Sequence, residues 1–256
     1  FCLSRGLGDV YKRQNLIRVI PARGRETFMS NSVNPSTNNG ADGTKGSKSV
    51  ASTPVRTSGP TQAKTSRSWR GIDIITAAVL AVACGLIFWL WNMIGGAGFT
   101  ALDTLTPGFG GLVTGTWFLG GVLGGLVIRK PGAAIFVELV AACVSAVLGS
   151  QWGISTLYSG LAQGLGAEIV FAIFGYKKFG LQIAALAGAA SGVGAFCLEL
   201  FTSGNLAKSA EFNLIYIVCL IISGAILAGI IGHYLVKALA QTGALDRFAA
   251  GRVTKK

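Results

Sequence analysis

This chain is short of the groups that most chemistry needs. It has 256 residues but one histidine, and only 12% of its residues are charged. Soluble domains carry about 25% charged residues, so an ordinary water-soluble globule is excluded at the outset. A single histidine and five cysteines without C-x-x-C spacing exclude a Cys/His zinc site. Four of those cysteines, Cys84, Cys143, Cys197 and Cys219, lie inside apolar runs, where cysteine acts as a small hydrophobe. Six prolines and no G-x-y period exclude a collagen-like chain. There is no G-x-S-x-G, no H-E-x-x-H and no Walker A, so no hydrolase or ATPase is expected and no cofactor is implied.

What is present is apolar bulk. Hydrophobic residues make up 51% of the chain, the mean hydropathy is +0.59, and there are 37 glycines. Glycine at that frequency suits tightly packed membrane helices. The formal charge of +12 sits mostly at one end: residues 1–70 carry +9 and residues 71–256 only +3. The basic part lacks the aromatic or arginine clusters of a nucleic-acid binder, so no nucleic-acid partner is expected.

Residues 1–28 are expected to lie outside the true protein. The opening FCLSRGLGDVYKRQ has no signal-peptide core and resembles translated sequencing-adapter read-through, which makes Met29 the expected start. Residues 29–70 are rich in Ser, Thr, Asn, Gly, Lys and Pro and are expected to form a disordered cytoplasmic tail. Residues 71–241 form the expected membrane domain, and 242–256 a short cytoplasmic segment.

A bilayer crossing takes about 20 apolar residues. Six runs meet that need: 72–94, 108–128, 132–148, 154–174, 180–201 and 213–240. None alternates with a period of two, which argues against a β-barrel. Lys and Arg favour the cytoplasmic side. The basic tail precedes the first run, Arg129 and Lys130 follow the second, Lys177 and Lys178 the fourth, and Lys237 to Lys256 close the chain. The intervening loops hold Asp103, the uncharged 150–153, and Lys208 beside Glu211. Basic and non-basic connections therefore alternate. The expected fold is an all-α membrane protein in the lipid bilayer of the plasma membrane, with six transmembrane helices and both termini inside.

Ionisable residues within spans are costly and are functional candidates by default. At 1.5 Å per residue, Glu138 and Glu168 each lie about 9 Å inside the cytoplasmic ends of their runs. They could share a proton, bind a polar helix terminus, or act as a proton or cation relay in a stand-alone carrier or channel. Glu199 lies near the outer end of the fifth run. The same side gathers Trp89, Asn92, Gln151, Trp152 and Tyr158, while Trp117 and Gln163 sit deeper. Trp and Tyr there can serve as an interfacial belt. With amides and a carboxylate they can also hold a flat nitrogenous ligand, the rings stacking it and the polar groups reading its nitrogens. Small residues recur every fourth position, as in Ala77/Ala81/Gly85 and Gly188/Gly192, which lets backbones approach closely.

Several segments together resemble one family. WRGIDIITAAVLAVACGLIFWLWN (69–92), GGVLGGLVIRKPGAAIFVELVAACVSAVLGSQWG (120–153), SGLAQGLGAEIVFAIFGYKKFG (159–180) and GALDRFAAGR (243–252) are similar to YkoE-type S components of energy-coupling factor (ECF) vitamin transporters. The resemblance implies a six-helix subunit that captures thiamine or its hydroxymethylpyrimidine (HMP) precursor from outside. It also implies two kinds of partner, a transmembrane T component and ABC-type ATPases. An Ala-x-x-x-Ala motif on the first helix of related S components docks on the T component. The matching residues here are Ala77 and Ala81, continued by Gly85. Under this reading Trp89, Trp152 or Tyr158 stacks a ring, Asn92 and Gln151 bond ring nitrogens, and Glu199 pairs with the aminopyrimidine or the thiazolium.

Overall fold

The computed structural model describes residues 68–248 and 250–251, so the expectations for 1–28 and for 29–67 lie outside the described residues. Among the described residues all regular structure is helical. The order is α1 (Gly71–Leu105), a 3₁₀ stretch (Phe109–Phe118) running into α2 (Leu119–Ile128), α3 (Ala133–Val147), α4 (Ser155–Ile173), α5 (Leu181–Thr202) and α6 (Ala210–Ser223). A π-helical turn (Gly224–Ile230) then leads into α7 (Ile231–Gln241). Five continuous helical rods are long and apolar enough to cross a membrane: 71–105, 109–128, 155–173, 181–202 and 210–241. The sixth, α3, has 15 residues and is too short by that measure.

The start of α1 is set by charge. Asp73, wholly buried, accepts the Arg70 backbone N–H at 2.7 Å and the Arg70 Nη2 at 2.9 Å. Lys130, from the α2–α3 turn, reaches the same carboxylate and donates to the Ser68 carbonyl at 2.6 Å. Trp69 Nε1 donates to the Pro131 carbonyl at 2.9 Å, so the chain entering α1 is tied to the 129–132 turn. The far end of α1 runs eleven residues past the expected boundary at Ile94, to Leu105. Nothing between them breaks a helix. Pro107 does, by forcing Thr106 into extended backbone (φ −148°, ψ 119°).

The 3₁₀ stretch is ten residues long, whereas runs beyond three or four residues are uncommon. Its glycines let it lie directly against α6. A Cβ on Gly111 would fall 2.9 Å from the Cys219 Cβ, and one on Gly115 would meet the Ser223 carbonyl. Ser223 Oγ in turn donates to the Gly111 carbonyl at 2.7 Å. Beyond it, α2 is the central rod, with every residue buried. The crossing of α5 with the π-helical turn is equally close: a Cβ on Gly188 would land on the Gly224 carbonyl.

One expectation is corrected here. Ala77 and Ala81 have no exposed surface, and Gly85 is buried with them. A Cβ on Gly85 would lie 2.6 Å from the Val144 Cβ and 2.8 Å from the Ala141 carbonyl. The row is the seat of α3 on α1, not a free docking face. The spacing of small residues marks a close contact but not its partner, because it does not fix how the helix is rotated. Ala81→Trp should therefore lower thermal stability in detergent by about 1–3 kcal/mol or prevent folding. A variant with an unchanged unfolding midpoint would return the row to a docking role.

Candidate functional site

The helices enclose a cavity of about 650 Å³. Its walls come from α1, the 3₁₀ stretch, α3, the α3–α4 connection, α4, the end of α5, the α5–α6 connection and α6. Four residues expected at a ligand site line it together: Asn92, Gln151, Trp152 and Glu199. Two others do not. Trp89 lines an adjoining shallower groove, shared with Asn92, Gly96 and Gln151. Tyr158 is 57% exposed on the outer face of α4, whose inward face carries Ser155, Ser159 and Gln163. Tyr158 had the right height along its helix but lies on the other side, where an aromatic suits the interfacial belt.

Asn92 is already engaged. Its Oδ1 accepts Trp117 Nε1 at 2.9 Å and its Nδ2 donates to Ser145 Oγ at 3.1 Å. It therefore positions an aromatic ring across three elements. Trp117 meets Trp152 edge to face, with centroids 5.3 Å apart and planes at 88°. The two indoles make a corner in which a flat ligand can lie on one ring and meet the edge of the other. The sequence marks Trp117 only as a deep residue. Its place in the site depends on the 3₁₀ winding, which no spacing in the sequence reports.

Glu199 accepts the Tyr216 hydroxyl at 2.6 Å. Tyr216 stacks on Phe212, with centroids 5.6 Å apart and planes at 21°. Lys208, on the α5–α6 connection, places its Nζ 4.0 Å over the Phe212 ring. Tyr216, Phe212 and Lys208 all line the cavity, and none is among the ligand residues to which the sequence points.

The two deep glutamates have different surroundings. Glu168 accepts the Gly132 N–H at 2.6 Å, the Ala134 N–H at 2.9 Å and the Tyr176 hydroxyl at 2.6 Å. It caps the start of α3, where a carboxylate also suits the helix dipole. Glu138 accepts the Gly121 N–H and lines the cavity. Gln163, with its amide nitrogen turned toward them, lies 3.3 Å from both Glu138 Oε1 and the Trp117 carbonyl.

A family model described as the permease component of an ABC-type cobalt transport system matches residues 72–194. The chain is 36% identical over 192 residues to the Bacillus subtilis (strain 168) protein named "Putative HMP/thiamine permease protein YkoE". That match covers 74% of this chain and 94% of the relative. Among solved structures, the chain resembles an S-component of an ECF transporter with a TM-score of 0.68 and 35% identity. That likeness covers 73% of this chain and 94% of the other.

Proposed function

The chain belongs to the YkoE family, a membrane protein with the fold of an ECF-transporter S component, and we propose that it captures thiamine or its pyrimidine precursor for import. The observation that carries this reading is the match to a named HMP/thiamine permease over 94% of that protein's length. The cavity supports it independently. An aromatic corner, two carboxylates and several amides and hydroxyls suit a flat, nitrogen-rich ligand. Glu138 and Glu168 give a relay reading little support, since Glu168 caps a helix away from the cavity.

In this reading the subunit is not an enzyme. It works with a T component and ABC-type ATPases in the plasma membrane, which supply the energy its own chain lacks. We place both termini in the cytoplasm and let all six rods cross, the short α3 within a locally thinned or tilted arrangement. The alternation of basic and non-basic connections supports that orientation. Residues 29–70 would then be a cytoplasmic tail, 71–241 the membrane domain and 242–256 a cytoplasmic end. Reporter fusions in the 129–132 turn and the 150–153 connection should fall on opposite sides of the membrane; the same side for both would overturn the orientation.

The function is tested by mass spectrometry of small molecules that co-purify with the detergent-solubilised protein, then by titration. Thiamine or HMP should change tryptophan fluorescence saturably, because Trp117 and Trp152 line the cavity. Folded protein that carries no such ligand and gives no saturable response to either compound would overturn the proposal.

A further inference from the structure

Arg129 and Lys130 are neighbours in the turn between α2 and α3, but only one of them has an acid. Lys130 meets the buried Asp73. Among the described residues no carboxylate pairs with Arg129, and of its side-chain nitrogens only Nε donates, to the Leu126 carbonyl at 3.0 Å. The carboxylates bonded around the same turn are already committed: Asp73 to Arg70 and Lys130, and Glu168 to two backbone N–H groups and the Tyr176 hydroxyl. The Arg129 guanidinium is half-buried and lies 4.7 Å over the Phe179 ring, which stacks on Phe171. Burial pulls its pKa below the usual guanidinium value, with no acid to raise it again. A fixed, flat cation with its outer donors unused is fitted to grip an oxyanion at two points.

The backbone gives a second sign. Arg129 ends α2 at φ 57°, ψ 35°, in the left-handed region. Glycine or asparagine would close the helix there at lower cost. The turn alone therefore gives no reason for an arginine.

The corner holds further positive charge. Arg129 and Lys237 both lie within electrostatic reach of His233 on α7. Lys237 stands about one turn beyond that histidine on the same face of its helix. Tyr234 meets the His233 ring edge to face, with centroids 5.9 Å apart. Ile231, Tyr234 and Leu235 are exposed, so apolar surface runs along α7 toward the charges. A free phosphate would use the charges and leave that surface idle. A phospholipid uses both, with its head on the basic groups and its chains along the helix.

We propose that Arg129, with His233 and Lys237, holds the phosphodiester headgroup of an anionic phospholipid at the end of α2. None of the three lines the ligand cavity, so the site is independent of what the cavity binds.

The test is native mass spectrometry of the detergent-solubilised full chain, offered phosphatidylglycerol and phosphatidylcholine of the same chain length in equal amounts. Wild-type protein should retain the anionic lipid over the zwitterionic one by at least about twentyfold, at about fivefold for each basic residue. Arg129→Gln and Lys237→Gln should each lower the ratio about fivefold, and Arg129→Lys, which keeps the charge without the fork, by less. An excess of inorganic phosphate should leave the wild-type ratio unchanged. A wild-type protein with no preference overturns the proposal without any variant and leaves Arg129 to an acidic group of a partner subunit. A preference erased by inorganic phosphate also overturns it, in favour of a site for the free anion. An undiminished ratio in folded Arg129→Gln places the lipid elsewhere and has the same force. Should that variant not fold, Lys237→Gln decides in its place, since Lys237 is exposed and its loss leaves the helix packing alone.

Discussion

Asp73→Ala should destabilise the membrane body by about 3 kcal/mol, read as a lower unfolding midpoint in detergent. The carboxylate has no exposed surface, and the Lys130 side chain that meets it is only 11% exposed. Removing the acid takes the carboxylate from that ammonium and leaves it the Ser68 carbonyl. It also frees the Arg70 N–H and loosens the link between the chain entering α1 and the 129–132 turn. Arg70 contributes little of the loss, because its side chain is 54% exposed and water screens the pair. Asp73→Asn, which keeps shape and some hydrogen bonding, should fall between wild type and alanine. A midpoint that does not move in Asp73→Ala would mean that the cluster is hydrated and structurally idle.

Trp117→Ala should weaken thiamine binding by about 2–3 kcal/mol, the range for losing a buried tryptophan anchor or a base-stacking ring. Trp117 is held by Asn92, which is itself held by Ser145, so its ring is oriented before any ligand arrives. Trp152 is 45% exposed and has no such support, so Trp152→Ala should cost less. Asn92→Leu should behave as a weaker copy of Trp117→Ala, since it releases the indole without removing it. Titration of each purified variant by calorimetry gives the order. Trp117→Ala binding as tightly as wild type would move the stacking surface elsewhere in the cavity.

The parts of this molecule that follow from hydrophobic bulk could be read from the sequence. Apolar runs between Arg129–Lys130, Lys177–Lys178 and the other polar breaks located every helical rod, because a helix in lipid must satisfy its backbone within itself. The run at 132–148 is the shortest of the six, and α3 is the rod too short to meet the crossing length. Depth could also be read, since it depends only on counting residues from an end. Asn92, Gln151, Trp152 and Glu199 fall near the same ends of their runs in the sequence, and all four line one cavity.

Rotation about each helix axis could not be read. Trp89 and Tyr158 have suitable chemistry at a suitable depth, but their azimuths take them out of the cavity. Ala77, Ala81 and Gly85 form a row in any helical wheel, yet only the packed structure shows that α3 covers it. A membrane helix gives little help here, because apolar residues face both lipid and protein and no polar stripe marks the outside. The two departures from α-helical winding, at 109–118 and 224–230, were equally hidden, since glycine-rich apolar sequence is compatible with either winding.

The winding of 109–118 has a metric consequence. At about 2.0 Å per residue, ten residues of 3₁₀ helix span about 20 Å, where an α-helix would span about 15 Å. Three residues make a full turn, so Thr114 and Trp117 stand one directly above the other along a single edge, and both line the cavity. Rewound as an α-helix, the same segment would be a quarter shorter and that edge would fan out by some 60° at each third residue. The stretched coil thus acts as a ruler that sets both how far the indole of Trp117 reaches and the direction in which it points.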